Sequence, residues 1–477
     1  MSTAYESVRL DHDLPTYYKS FFPFKSFCKW LSYGQVPSEY FARREFAFIL
    51  ADDVHLRYKS FNDVLSFEKE LCKVNPHKLD LGAVYNHFPR DHRKHSDMQA
   101  VERELVFDID LTDYDAVRTC CTEATVCPKC WKFVVLAVKI LDKVLREDFG
   151  FKARMWVFSG RRGVHCWVGD AKARKLNNLG RSAVAEYLNL FIGNKVEVLK
   201  GRTKMTWVPN LVQTAYSSAL EGGFFESMAY EQGWLNDGRA EIIFSLYKEL
   251  SADLRTELIE KFNALPTPQL RWKMLKMYFE EDERKRARQE GLNLPLEPQN
   301  RDKYFLKYFV LWHVYPRLDV NVSTGTNHLL KSPFCIHPKT GCVAVPLSAD
   351  DVAQFDVTKC PRLDRLVAEL PSINSEIGEK EEGDQKENGQ RKVLAYRHSS
   401  LAKYVENFEK YVELAIFGSV AIVYTVGRSI NHVDLGTVSW VEDVLDALGV
   451  DVPQAGRLRP LASVLRLSSS IVSLDSN

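Results

Sequence analysis

The sequence predicts an α+β fold: a small mixed sheet flanked by helices, with a metal knuckle and a helical subdomain appended. Three observations carry this. The run Glu104 to Asp110 alternates apolar and polar residues, and Met155 to Phe158 and Val164 to Val168 are β-rich runs around a glycine-containing turn. Trp131 to Leu145 and Leu254 to Phe262 repeat their apolar residues at helical spacing instead. Between them Cys120, Cys121, Cys127 and Cys130 crowd together, more tightly than core packing requires.

Taken in order, Tyr17 to Phe22 with Trp30 and Leu31 predict aromatic-rich amphipathic helix, and Phe46 to Tyr58 two strands around Ala51-Asp-Asp53. In the Glu104 to Asp110 strand, Leu105, Phe107 and Ile109 face one way and Val106, Asp108 and Asp110 the other. Two carboxylates on one strand face repel unless a cation sits between them. Hard oxygen ligands suit Mg²⁺ or Mn²⁺, and two such ions can clamp an in-line phosphoryl displacement. The four cysteines read as a tetrahedral structural zinc site, with Cys127-Pro-Lys-Cys130 as its knuckle and a core helix following. Four thiolates would leave no open position for a catalytic water.

Phe158 to Trp167 predicts a hairpin whose turn carries Arg161 and Arg162. His165 and Trp167 share one face of it. Guanidinium, imidazole, hydroxyl and backbone N–H donors gathered there suit triphosphate oxygens. Farther on, Asp319, Asn321 and Ser323 alternate with Val320 and Val322, which predicts another strand with a carboxylate on its polar face. His328 to Lys331 is short and strand-like, and Pro338-Lys-Thr-Gly341 is a turn with His337 at its mouth.

Five ordered motifs together resemble the catalytic small subunit of eukaryotic DNA primase, of the archaeo-eukaryotic primase superfamily. They are Phe107-Asp-Ile-Asp-x-Thr-Asp-Tyr-Asp115, the cysteine cluster, Ser159-Gly-Arg-Arg-Gly-Val-His165, Pro316-Arg-Leu-Asp319 and His328-Leu-Leu-Lys331. Arg43-Arg-Glu-Phe46 and Arg57-Tyr-x-Ser-Phe61 match as well, and the likeness runs from roughly residue 10 to roughly residue 412. The resemblance implies an RNA-recognition-motif-like catalytic fold that makes short RNA primers de novo on single-stranded DNA from NTPs. It implies Asp108, Asp110 and Asp319 as ligands of two Mg²⁺ or Mn²⁺ ions, with Asp319 on the nucleophile side. Ser159, Gly160, Arg161, Arg162, Gly163, Val164 and His165 would bind the nucleotide, together with His328, Leu329, Leu330, Lys331 and His337. Glu45 matches an acidic position near the family's active site, and Arg57 is a candidate for phosphate or template contact. The implied partners are an iron–sulfur large subunit and, through it, the DNA polymerase alpha complex; the implied location is the nucleus. Two other readings are a single-chain primase-polymerase of the same superfamily and a nucleic-acid-binding scaffold with an inactive site.

Composition sets limits. With 477 residues and 45% hydrophobic content, the chain can bury a large core. A net charge of +1 leaves no global pull on nucleic acid, so DNA binding needs a local basic patch. Ten cysteines without a signal peptide fit a reducing setting. The apolar stretch Leu414 to Val426 is too short to span a bilayer. The expected organisation is a catalytic domain at 1–191, holding the zinc knuckle at 120–131, then a helical subdomain at 192–300. The catalytic domain resumes at 301–370, followed by a charged, disordered linker at 371–395, a helix at 396–413 and a divergent tail at 414–477. The basic run Arg284 to Arg288 fits a nuclear localisation signal or a solvated helix face. For the tail, a partner-binding segment, a small β-rich appendage and a mistaken gene model compete.

Overall fold

The computed structural model describes residues 5–192, 195–196, 209–294, 296–299, 301–381 and 394–418. The tail expected from 414 therefore lies outside the described residues from 419 onward.

The strand-forming runs assemble into two main sheets. The first contains β1 (Arg44–Ile49), β2 (His55–Lys59), β3 (Lys78–Tyr85), β4 (Ala100–Glu102) and, far along the chain, β10 (Leu330–Lys331). Its order is β10-β3-β1-β2, with β4 pairing the end of β3. The second contains β5 (Leu105–Asp110), β6 (Arg154–Phe158), β7 (Gly163–Val168) and β11 (Pro346–Leu347), in the order β11-β6-β7-β5. A short ribbon joins β8 (Phe191–Ile192) to β9 (Lys195–Val196). Every pairing among the described residues is antiparallel, so the single mixed sheet expected from sequence is corrected to two antiparallel ones. Hairpins such as β1–β2 and β6–β7 need only short turns and no crossover helix, which is why that arrangement forms.

Helices Leu10–Ser20 and Phe24–Ser32 supply the aromatic layer expected at the N-terminus. Trp30 meets Trp167 of β7 edge-on at 5.4 Å and Phe408 of the helix Ala402–Phe417 at 5.6 Å. Chain segments hundreds of residues apart thus share one core. Helix Pro128–Glu147 begins at Cys127, and its apolar face, including Phe133, Leu136, Ile140 and Leu141, is buried. Helices Asn210–Leu220, Phe224–Glu231, Ala240–Leu246, Ala252–Ala264, Pro268–Phe279 and Glu281–Gln289 fill most of the stretch read as helical.

Two local expectations are corrected. Asp319 to Ser323 is not a strand; Asp319 caps the helix Val320–Thr324, its carboxylate accepting a hydrogen bond from Asn321 N at 3.0 Å. A short Asp-x-Asn-x-Ser alternation satisfies an N-terminal cap as readily as a strand. The charged segment read as linker from 371 is helical at first, because helix Leu363–Glu381 continues through Pro371; 382–393 lie outside the described residues.

Candidate active site and cysteine cluster

The site is built around β5. In register with β7, Asp108 lies opposite His165 and Asp110 opposite Gly163. Gly163 is required there: a Cβ on it would stand 2.2 Å from Ile109 O. The other glycine of the turn, Gly160, has φ of +87°, which side-chain-bearing residues rarely adopt, and a Cβ would meet that of His337 at 2.8 Å. Ser159 closes the turn, its Oγ accepting a bond from Gly163 N at 3.2 Å. Val164 packs fully buried between β5 and β6, as a structural residue.

The free edge of β5 receives the third carboxylate. Asp319 N donates to Asp108 O at 3.3 Å, and Ser323 Oγ donates to Val106 O at 2.6 Å, so the short helix lies along that edge. Arg103, fully buried, donates from Nη1 to Gly325 O at 2.9 Å and closes the helix's far end. Tyr114 accepts a hydrogen bond from Arg317 N at 3.1 Å and anchors the preceding Pro-Arg-Leu segment. Three acids from two distant segments are thereby held at one end of β5.

Their electrostatics record the crowding. Burial, then Asp110 and Asp319, push the Asp108 carboxyl up to about 7. Asp113, on the turn Leu111–Tyr114, is pushed up to about 6 by burial and by Asp110, Asp108 and Asp319. Asp113 is a fourth acid of the cluster that sequence reasoning left without a role, although it stands inside the quoted motif. Asp110 has a cation beside it. Arg162 Nε sits 2.7 Å and 2.8 Å from its two oxygens, and Thr112 N and Oγ1 donate to it at 2.9 and 2.8 Å. Arg162, expected on a triphosphate, thus supplies the counter-charge itself here. Three carboxylates at one end of a strand offer the oxygen donors that hard divalent cations take, but their ligand atoms do not all lie within 4.8 Å of one another as those of the cysteine cluster do.

Opposite these acids lie the phosphate-binding candidates. Lys331, on β10, reaches across to donate from Nζ to Ser159 O at 3.1 Å, linking the edge of the first sheet to the hairpin turn of the second. Burial lowers its pKa. His165 Nε2 stands 3.7 Å from Asp108 Oδ1. Burial and then Lys331 push both His165 and His337 down to about 3, so both rings are neutral. The Nδ1 atoms of His165 and His337 are buried without a hydrogen-bond partner among the described residues, a configuration that leaves polar capacity for a ligand. The His337 turn is pinned by its backbone N–H on Cys342 O at 2.9 Å and by Thr340 Oγ1 donating to Gly160 O at 2.6 Å. Arg161 belongs to the same neighbourhood, since its charge acts on His337.

His328 is exposed, and burial, then Arg103, lower its pKa against the opposing pull of Asp319 and Asp108. Leu330 is buried and paired with Leu81, while Leu329 faces Gly82, where a Cβ would come within 3.1 Å of its Cδ2. Both fix the backbone that presents Lys331. Asp80, half-buried opposite Lys331 across the β3–β10 pair, was missed by sequence reasoning, although the alternation of Lys78 to Leu81 marks it as the polar face of β3.

Glu45 is placed differently from the other acids. Its fully buried carboxylate accepts bonds from Arg57 at 2.9 and 3.2 Å, from Tyr58 N at 3.2 Å and from Tyr85 Oη at 3.0 Å. None of these goes to Asp108, Asp110 or Asp319. Glu45 orients Arg57.

The cysteine cluster also comes together. The ligand atoms of Cys120, Cys121, Cys127 and Cys130 all lie within 4.8 Å of one another. The Cys127 and Cys130 sulfurs are 3.8 Å apart. A tetrahedral ion with bonds of about 2.3 Å to sulfur requires edges of about 3.8 Å, so the group could hold one metal. Gln232 braces it from the helical stretch, donating from Nε2 to Cys120 Sγ at 3.3 Å and accepting from Thr119 N at 2.8 Å. Such outer bonds orient the ligands.

The chain is similar to known proteins. The family model described as DNA primase small subunit matches residues 107–349. A DNA primase small subunit of Caenorhabditis elegans is 60% identical over 414 residues, covering 87% of this chain and 100% of the relative. The Drosophila melanogaster counterpart is 37% identical, covering 86% of this chain and 92% of its own length. That of Saccharomyces cerevisiae is 38% identical over 76% of this chain and 86% of its own.

Proposed function

The chain belongs to the DNA primase small-subunit family, and from that premise we propose that it is a catalytic primase subunit, a nucleotidyltransferase that makes short RNA primers de novo on single-stranded DNA. The observation that carries the reading is the convergence of Asp108, Asp110 and Asp319 on one end of β5, with Arg162, His165 and Lys331 close by. The two sheets are read as the family's RNA-recognition-motif-like core.

Asp108, Asp110 and Asp319 would hold two Mg²⁺ or Mn²⁺ ions, Asp319 on the nucleophile side. Bound there, such ions lower the pKa of the attacking 3′-hydroxyl and neutralise the leaving pyrophosphate. The chain's own residues do the rest. Arg161 and Arg162 would grip phosphate oxygens bidentately. Arg162, which holds Asp110 in this structure, would be available to the triphosphate where a cation is held by that carboxylate. His165 and His337, neutral by burial, donate N–H bonds without adding charge, and Ser159 and Lys331 complete the cradle. Arg57, steadied by Glu45, reaches for a phosphate of primer or template.

The cysteine cluster is read as a structural zinc site. A large primase subunit with an iron–sulfur cluster, the DNA polymerase alpha complex, single-stranded DNA and NTPs are the proposed partners and substrates, and the nucleus the proposed location. Primer synthesis on single-stranded DNA with NTPs, with and without a large subunit, tests the reading. Metal-dependent dinucleotide and primer formation is expected. A purified, folded complex that binds NTP yet joins none, or uses only deoxynucleotides, overturns it.

A further inference from the structure

The hairpin loop between β3 and β4 carries a second, unrelated cluster of ligating side chains. Its neck is tightly closed: Asn86 N donates to Gln99 O at 3.0 Å, Gln99 N donates to Asn86 Oδ1 at 2.8 Å, and Asn86 Nδ2 donates to Asp97 O at 3.0 Å. This bracing sets His87 on one leg against His95 and Asp97 on the other. His87 Nε2 lies 3.0 Å from Asp97 Oδ2, and the His87 and His95 rings stack 3.9 Å apart with planes 5° from parallel. One ligand atom from each of the three residues lies within 4.8 Å of the other two.

We propose that His87, His95 and Asp97 form a binding site for a borderline divalent ion of the Zn²⁺ class, separate from the carboxylates of β5 and from the cysteine cluster. Two imidazoles and one carboxylate suit Zn²⁺, Co²⁺ or Ni²⁺ and not Mg²⁺, which prefers oxygen. Tetrahedral bonds of about 2.0–2.2 Å set ligand atoms about 3.3–3.6 Å apart, so the side chains need to close by about an ångström. One ring must also swing about its Cβ–Cγ bond, because in-plane lone pairs of parallel rings do not converge. The loop's cations do not block the site. Arg90 is turned to Asn62 Oδ1 at 2.8 Å and Lys94 to Asp91 at 2.7 Å. Arg93 is the remaining cation of the segment and is exposed. Water would complete the coordination sphere. An ion here staples the loop beside the strand that carries Arg57, because His92 of the same loop stacks on Tyr58 at 4.3 Å.

The test uses the full chain with its cysteine site already zinc-loaded and millimolar Mg²⁺ present to compete at the β5 carboxylates. Equilibrium dialysis against micromolar Zn²⁺, read by elemental analysis, is expected to give one more equivalent in wild type than in the His87→Ala/His95→Ala double variant. Asp97→Asn is expected to weaken that equivalent severalfold. Zn²⁺ is also expected to raise the melting temperature of wild type and not of the double variant. Co²⁺ in the second site should show ligand-field bands without the thiolate charge-transfer bands of a cysteine site. Equal zinc content in wild type and double variant, with both folded, overturns the proposal.

Discussion

The two ends of β5 treat carboxylates in opposite ways. Just before the strand, Glu104 is fully buried but matched: Arg44 donates to it at 2.8 and 2.9 Å and Tyr33 Oη at 2.6 Å. Burial alone would push this carboxyl up, yet Arg44 and the hydrogen bonds outweigh burial and bring it down to about 2. At the far end, Asp108 and Asp113 are pushed up to about 7 and about 6 by burial and by one another's neighbours. Asp108 and Asp113 stand four and nine residues beyond Glu104, so a short stretch of chain separates a carboxylate that holds the fold together from carboxylates whose repulsion awaits a cation. Charge satisfied within the fold stabilises it, and charge left unsatisfied at a cleft becomes capacity to bind.

The strongest way to break this comparison is Asp110→Ala. Removing a metal ligand costs several kcal/mol of charge stabilisation, so primer formation is expected to fall at least about a thousandfold. The circular dichroism spectrum should be unchanged and the metal-free melting temperature should move little, because relief of like-charge repulsion offsets the lost bonds to Arg162 and Thr112. Activity within tenfold of wild type would sink the assignment.

Glu104→Gln should do the reverse. Leaving Arg44 buried without its partner is expected to cost about 3–5 kcal/mol in urea unfolding. The same pair sets an acid limit. Because the folded-state pKa of Glu104 is depressed, its contribution is fully present above the unfolded value of about 4.3 and drains away as pH falls towards about 2. Wild type should lose stability across that window, and Glu104→Gln should lose less there. A variant as stable as wild type at neutral pH would show that the ion pair is dispensable.

A milder change sharpens the far end. Asp113→Asn removes one of the repelling charges without removing a proposed ligand. Mn²⁺ binding followed by electron paramagnetic resonance is expected to weaken about threefold to tenfold near neutral pH, a loss of roughly 1 kcal/mol. A loss as large as that of Asp110→Ala would make Asp113 a ligand in its own right.

The smallest expected effect belongs to Arg103→Lys. Lysine keeps the charge but not the reach that closes the Val320–Thr324 helix onto β5, and Asp319 should sit less firmly. Mn²⁺ affinity is expected to fall about twofold to fivefold with NTP affinity unaltered, a fraction of the worth of one charged hydrogen bond. If only the melting temperature moves, Arg103 serves the fold and not the carboxylate.

Features carried by local spacing were fixed in the sequence itself. The alternation of β5, the hairpin around Gly160 and Gly163, the amphipathic helix after Cys127 and the four-cysteine knuckle each depend on residues near one another in the chain, where period and turn chemistry act directly. The resemblance in motif order carried the family. Tertiary structure alone decided what depends on pairing distant segments. Asp319 reaches β5 as the cap of a short helix docked on a strand edge, an outcome that alternation over five residues cannot separate from a strand. The partnership of Glu104 with Arg44, the gathering of Asp113 into the acid cluster and the reach of Lys331 to Ser159 likewise exist only once the sheets are in register. A lone side chain's charge is legible in one dimension; its compensation depends on which chain segment burial brings against it.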